Sequence, residues 1–199
     1  MPLPAGDSQL VQIMDAALVD AARRAGQWLA CKPGCTQCCH GAFSINALDA
    51  LRLQAGMNVL HAADTSTAEA VRARAHSWIA EHGPAFPGNR ETGILGTSDT
   101  DSEKFEEFAN DAPCPALNPS TGLCDVYAWR PMTCRVFGPP VRSTDADGHQ
   151  GLGHCELCFI GATPEQVAAY EMQIPHQAEA NLLEPLGSQE TVVAFALLK

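Results

Sequence analysis

The sequence predicts a mainly α protein, a single compact helical domain over residues 1–199 with a small β-hairpin and long loops organised around a cysteine-ligated metal site. Three observations predict it. Apolar residues recur at helical intervals near the start, capping signals open further helices downstream, and nine cysteines fall in tight groups rather than singly.

Between Gln9 and Ala30, the residues Val11, Met14, Leu18, Ala21, Ala25 and Trp28 are spaced alternately three and four apart, which is one face of a helix. Lys32-Pro33-Gly34 breaks it, so Cys31 falls at a helix end and Cys35 to Cys39 fall in a turn or a new short segment. Asn46-Ala-Leu-Asp49 reads as a cap opening a helix through Leu53, and Ser66-Thr-Ala-Glu69 as a fuller capping box. That second helix stops at Gly83-Pro84. Residues 84–100, rich in Gly, Pro, Ser and Thr, read as an exposed loop before a short acidic helix around Phe105 and Phe108. Cys114-Pro-Ala-Leu and Leu123-Cys-Asp-Val-Tyr127, joined by the turn residues Asn118 to Gly122, predict a β-hairpin with a cysteine on each arm. Thr163-Pro-Glu-Gln166 opens another helix, and the tail from Thr191 is ambiguous. The cysteine-cluster region thus spans residues 31–158, flanked by an N-terminal helix and C-terminal helices.

Composition narrows the setting. The start, Met1 to Ser8, has neither a basic stretch nor an apolar run, and the best apolar candidate, Val192 to Leu198, is far too short to cross a membrane. The expected location is the cytoplasm, with no membrane association. In a compartment that keeps thiols reduced, clustered cysteines point to metal ligands or catalytic thiols rather than a disulfide frame, and an odd count pairs poorly. The formal charge of −11 argues against a nucleic-acid partner. Positive charge nevertheless collects near the cysteines: Arg130, Arg135 and Arg142 outnumber Asp111 and Asp125 between residues 111 and 142.

Cys31-Lys-Pro-Gly-Cys35-Thr-Gln-Cys38-Cys39 places four soft ligands within nine residues, the density that chelating one or two centres needs. Adjacent side chains diverge on any regular backbone, so Cys38 and Cys39 serve two neighbouring centres, or one of them is a buried thiol. Cys114, Cys124, Cys134 and the pair Cys155-Glu-Leu-Cys158 are the remaining candidate ligands. His40 and His154 adjoin ligand cysteines but read as solvated or core-satisfied side chains.

The run Cys31-x-x-x-Cys35-x-x-Cys38-Cys39, followed by Cys114-Pro-Ala-Leu, by Gly122-Leu-Cys124-Asp-Val-Tyr127-x-x-Arg130-Pro131-x-x-Cys134-Arg135-x-Phe137 and by a late cysteine, resembles the YkgJ-type cysteine-cluster family of zinc- or iron-chelating domains. The resemblance covers residues 31 to about 158. It implies about eight metal-binding cysteines and an iron–sulfur or zinc site, with Cys155 and Cys158 both candidates for the late position.

Spacing tilts the metal towards iron–sulfur, of the 4Fe-4S kind or a relative: a compact four-cysteine loop completed by distant cysteines, one of them in Cys114-Pro115, resembles cluster ligation, whereas zinc ribbons present two separate knuckles. Arg130 and Arg135 flank Cys134 and are expected to give charge and hydrogen bonds to cofactor sulfurs. The three-cysteine spacing also matches radical S-adenosylmethionine enzymes, but those need a βα barrel that the chain's pattern does not supply. The leading expectation is a redox or electron-transfer protein, oxidoreductase-like or accessory to one, with a protein redox partner. The alternatives are a structural zinc module for partner binding and a methyltransferase-like enzyme related to flagellin lysine methylases. Neither catalytic residues nor an oligomeric state can be read from the sequence.

Overall fold

The computed structural model describes residues 1–144 and 150–199. It is mainly α, as the sequence predicts. Its helices are α1 (Asp7–Ala25), α2 (Ala47–Ala63), α3 (Thr65–His82), α4 (Asp99–Glu106), α5 (Met132–Val136), α6 (Pro164–Ala169), α7 (His176–Leu183) and α8 (Val193–Ala196). Its strands are short and pair antiparallel in twos: β1 (Ser44–Asn46) with β8 (Glu190–Val192), β2 (Gly88–Asn89) with β3 (Ile94–Leu95), β4 (Leu117–Asn118) with β5 (Leu123–Cys124), and β6 (Val141–Thr144) with β7 (Gln150–Gly153). Among the described residues there is no parallel sheet, so the barrel of a radical enzyme is not formed. None of the described helices is long and apolar enough to cross a membrane.

Helix α1 ends earlier than its apolar period suggests. Gly26 takes a positive φ of 54° and its N–H bonds to Ala22 O, which closes the helix and leaves Trp28 on a tight turn. Its buried face is Leu10, Met14, Ala21 and Ala25, packed on Met132 and Met172 for the most part. Leu10 and Met14, taken from water, contribute about 1.5–3 kcal/mol each, and the two alanines less.

Asn46 caps α2 as expected, its side chain accepting from Asp49 N at 2.9 Å, but the helix runs on to Ala63 rather than stopping near Leu53. The box expected at Ser66 is replaced by Asp64. That residue closes α2 and accepts from Thr67 N at 3.0 Å, so α3 starts at Thr65 and Ser66 lies inside it. The stretch 84–100 is not wholly loop: β2 and β3 form a small hairpin there, and a Ser98–Asp101 capping box opens α4. The predicted box at Thr163 is present. The tail is both of its possibilities in turn, β8 then α8, and Val192 to Leu197 is buried.

The largest core lies between α2, α3 and α8, around Leu53, Val71, Ala75 and Ala196, and Cys114 and Cys124 pack against its edge. Arg52 of α2 is 1% exposed and sits between two buried carboxylates. Its Nε donates to Asp7 Oδ1 at 2.8 Å and its Nη1 to Asp49 Oδ1 at 2.5 Å. Asp49 Oδ1 also accepts from Met132 N at 2.9 Å, the first residue of α5. One buried ion cluster therefore ties α1, α2 and the helix that carries Cys134.

Candidate metal centre

The segment from Cys31 to Cys39 is two consecutive turns. Cys35 N–H donates to Lys32 O at 2.9 Å across Gly34, whose φ is 87°, and Cys39 N–H donates to Thr36 O at 2.8 Å, closing a short 3₁₀ turn over Gln37–Cys39. Beyond it the chain zips onto the segment before the β4–β5 hairpin: Cys114 N–H donates to Cys39 O at 2.7 Å and Gly41 N–H to Ala112 O at 3.0 Å. Gly41 has a φ of 87°, and a Cβ there would lie 2.9 Å from Asn110 O, so only glycine permits this approach.

This zipper brings Cys38 and Cys39 to Cys114. Cys124 arrives on β5, whose partner in register is Leu117. Cys114 lies just before β4 rather than on it, so the predicted hairpin carries one cysteine on a strand and one beside it. Cys134 arrives on α5. The charges that most affect Cys39, Cys114 and Cys134 come from within this set of five.

Cys31, Cys35, Cys155 and Cys158 gather elsewhere. Cys31 Sγ lies against Gly138, where a Cβ would stand 2.8 Å away, and Gly138 O accepts from Cys155 N at 3.2 Å. Cys158 Sγ accepts from Ala30 N at 3.4 Å, and Phe159 N–H donates to Trp28 O at 2.8 Å. Cys155 and Cys158 are buried with Ala25, Phe159 and Val167, whereas Cys31 is exposed. A Gln37–Glu156 hydrogen bond of 2.6 Å joins the two gatherings.

All nine are free thiols, and among the described residues no three His, Cys, Asp or Glu side chains already converge at ligating distance. The sulfurs are gathered but not closed around a point. Burial pushes Cys114 up to about 12 and raises Cys124 and Cys134 as well. Burial and the neighbouring Cys158 push Cys31 up to about 12. Cys38 runs the other way, to about 6, because Cys39 donates to its sulfur, with Arg130 adding positive charge. The chemistry of the donors fits a thiophilic metal: clustered thiolates select zinc or iron–sulfur centres, and binding displaces their protons.

The arginines divide their work. Arg130, with its guanidinium 4.0 Å over the Tyr127 ring, donates to Tyr127 O and to Asp15, and its charge lowers Cys38 and counteracts the rise of Cys124. Arg135 is 1% exposed. Its Nη1 donates to both oxygens of Asp15 at 2.7 and 2.8 Å, its Nη2 to Ala128 O and its Nε to Arg130 O. These described bonds go to a carboxylate and carbonyls, not to sulfur, so Arg135 fastens the loop before α5 onto α1. No local spacing marks Asp15, which stands just off the apolar face of α1, 120 residues from its partner. His40 Nδ1 lies 3.0 Å from Thr36 O, and His154 Nδ1 lies 3.0 Å from Cys155 O.

Comparison with known proteins agrees with this constellation. The profile of the CxxCxxCC family, described as a putative zinc- or iron-chelating domain, matches residues 30–158. No curated protein and no solved structure matches the chain. With all nine cysteines inside the matched region and most of the chain covered, the protein belongs to the CxxCxxCC family of zinc- or iron-chelating domains.

Proposed function

We propose that four of the five cysteines Cys38, Cys39, Cys114, Cys124 and Cys134 supply the thiolates for an iron–sulfur cluster, with one of the adjacent pair Cys38 and Cys39 left as a thiol, and that the protein serves cytoplasmic electron transfer, or assists an oxidoreductase, through a protein redox partner. The observation that carries this reading is the five-sulfur set itself. It is drawn from four separate segments rather than from two paired knuckles, Cys114 and Cys124 pack at the edge of the apolar core, and the Arg130 cation acts on Cys38 and Cys124. When bound, such a cluster supplies one-electron transfer. The chain's own part is to hold the sulfurs, limit water at the Cys114 and Cys124 side, and place Arg130 where it offsets thiolate charge.

Anaerobically purified protein is expected to be brown, to contain iron and acid-labile sulfide, and to bleach with dithionite. Colourless protein holding zinc alone would sink the reading. Arg130→Leu should retain most of the iron and lower the midpoint potential, because losing a nearby positive charge makes electron uptake harder. The shift should be on the order of tens of millivolts, the scale of a unit charge at an effective dielectric of about 20. Voltammetry of wild type and variant checks the sign, and an unchanged or raised potential counts against Arg130 as the tuning charge.

A further inference from the structure

We propose that the cleft between the end of α3 and α4 is a docking site for a basic, lysine- or arginine-bearing segment of a partner protein. The proposal goes beyond the cluster reading, uses no cysteine and stands or falls separately from it.

The cleft has a volume of about 690 Å³, and none of the nine cysteines lines it. One wall is the exit of α3, where Glu81 and His82 end the helix and Pro84 to Gly88 turn the chain back beside it. The other is α4, where Asp101, Lys104 and Phe108 recur at intervals of three and four and Glu107 stands at the helix end. The floor is aromatic. Phe86 and Phe108, 8% and 5% exposed, meet edge to face at 5.7 Å, and Trp78 packs on Phe108 at 5.7 Å and on the His82 ring at 4.8 Å. Both walls are held without an occupant. Pro84 and Pro87 restrict the first. On the second, Ala109 takes a φ of 52°, and its carbonyl accepts from Ala42 N at 3.2 Å and Ala112 N at 3.1 Å. A preformed cleft spares an incoming segment the cost of ordering its receptor.

Charge selects the occupant. Between residues 99 and 111 six carboxylates stand against one lysine, so this short stretch holds −5 of the chain's −11. Asp101 and Glu107 from that stretch, with Glu81 on the other wall, give the cleft three carboxylates against Lys104. Glu81 and Glu107 are exposed, and among the described residues neither is paired with a lysine or arginine; Glu81 meets only His82, at 3.9 Å. An acidic rim over an aromatic floor suits a side chain that is apolar along its stem and cationic at its tip. The methylenes of lysine or arginine can cover Phe86 and Phe108 while the charge reaches the carboxylates. A nucleic acid has the wrong sign for this cleft, and a second copy of this chain brings the same excess of negative charge.

The test is fluorescence anisotropy of full-length protein, purified anaerobically, with a fluorescein-labelled octapeptide of alternating lysine and alanine. The same peptide with glutamate in place of lysine is the control. The lysine peptide should bind and the glutamate peptide should not. Glu81→Gln/Glu107→Gln should weaken binding roughly threefold to tenfold, the worth of two rim charges, and Lys104→Gln should tighten it about twofold. Glu69→Gln/Glu184→Gln removes the same charge near the start of α3 and after α7, and should change the affinity less than about twofold because salt screens charges so far from the cleft. Amide NMR shifts on adding the lysine peptide should concentrate at residues 81–88 and 101–109. No binding, equal binding of both peptides, equal loss in both double variants, or shifts centred outside those segments would each overturn the proposal. Spermidine displacing the peptide at an equal or lower concentration would also overturn it, in favour of a small-polyamine site. Protein that lacks iron and sulfide, the result that sinks the cluster reading, leaves each of these outcomes readable.

Discussion

Arg52→Met is expected to destabilise the protein by about 3–5 kcal/mol, a large share of the total stability of a domain this size. The variant leaves Asp7 and Asp49, 5% and 2% exposed, without the cation that both bond. The loss should depend on pH in a stated direction. Burial already holds Asp49 up at about 6, above its unfolded value, so the fold prefers the neutral acid and is disfavoured by this group as pH rises through about 6. Without Arg52 the preference for the neutral form strengthens, and the deficit against wild type should be smaller at pH 5 than at pH 8. Urea unfolding of both proteins at the two pH values measures it. A deficit below about 1 kcal/mol at pH 8 would mean that the ion cluster is not what joins α1 to α2. Because Asp49 also holds Met132 N at the start of α5, metal retained through Cys134 should fall with stability.

Gly56→Ala should be destabilising, against the usual sign. In a helix interior this exchange ordinarily gains about 1 kcal/mol. Here the new Cβ would stand 2.4 Å from Trp129 Cγ and 2.5 Å from its Cβ, which the tightly turned Tyr127–Trp129 segment cannot easily yield. Overpacking of this kind costs roughly 1–3 kcal/mol beyond the lost gain. The distinguishing measurement is a double-mutant cycle with Trp129→Gly, which removes both of the clashing carbons, and in which the alanine at 56 should become neutral or stabilising. If Gly56→Ala stabilises the wild-type background, the contact between α2 and the loop before Cys134 is looser than described. The loop matters to the site because Arg130 and Pro131, which follow directly, lead into α5.

Local signals were legible in the sequence, and partners far along the chain were not. The apolar period of α1, the cap at Asn46 and the box at Thr163 each reside within a few residues, and each is found. Asp64 displaced the Ser66 box because a carboxylate two residues upstream closed one helix and opened the next, a competition that a motif read singly does not show. Strands of two to four residues have too little alternation to register, so β1, β2 and β3 went unread, and the tail resolved only once β8 found β1 across the chain. At the site, the cysteines were plain from spacing, and the resemblance to a chelating family is matched over residues 30–158. Their division was not plain, because it depends on which segments Gly138 and Ala112 bring alongside Cys31 and Cys39. The sequence places Arg135 where its guanidinium reaches sulfur or a carboxylate; the carboxylate it bonds, Asp15, lies 120 residues away and no local spacing marks it.

The β1–β8 pairing sets an order in time. Ser44 to Asn46, a few residues past Cys39, waits for Glu190 to Val192, and the interval is about 150 residues of synthesis. At ordinary elongation rates of 5–20 residues per second that is roughly 8–30 s. For most of it the first four cysteines are outside the ribosome while the strand that anchors the segment after them has not been made. The nascent chain therefore passes through a stage in which a thiol-rich loop is chemically available but topologically unfinished. Final closure is a long-range, high-contact-order event rather than a local one.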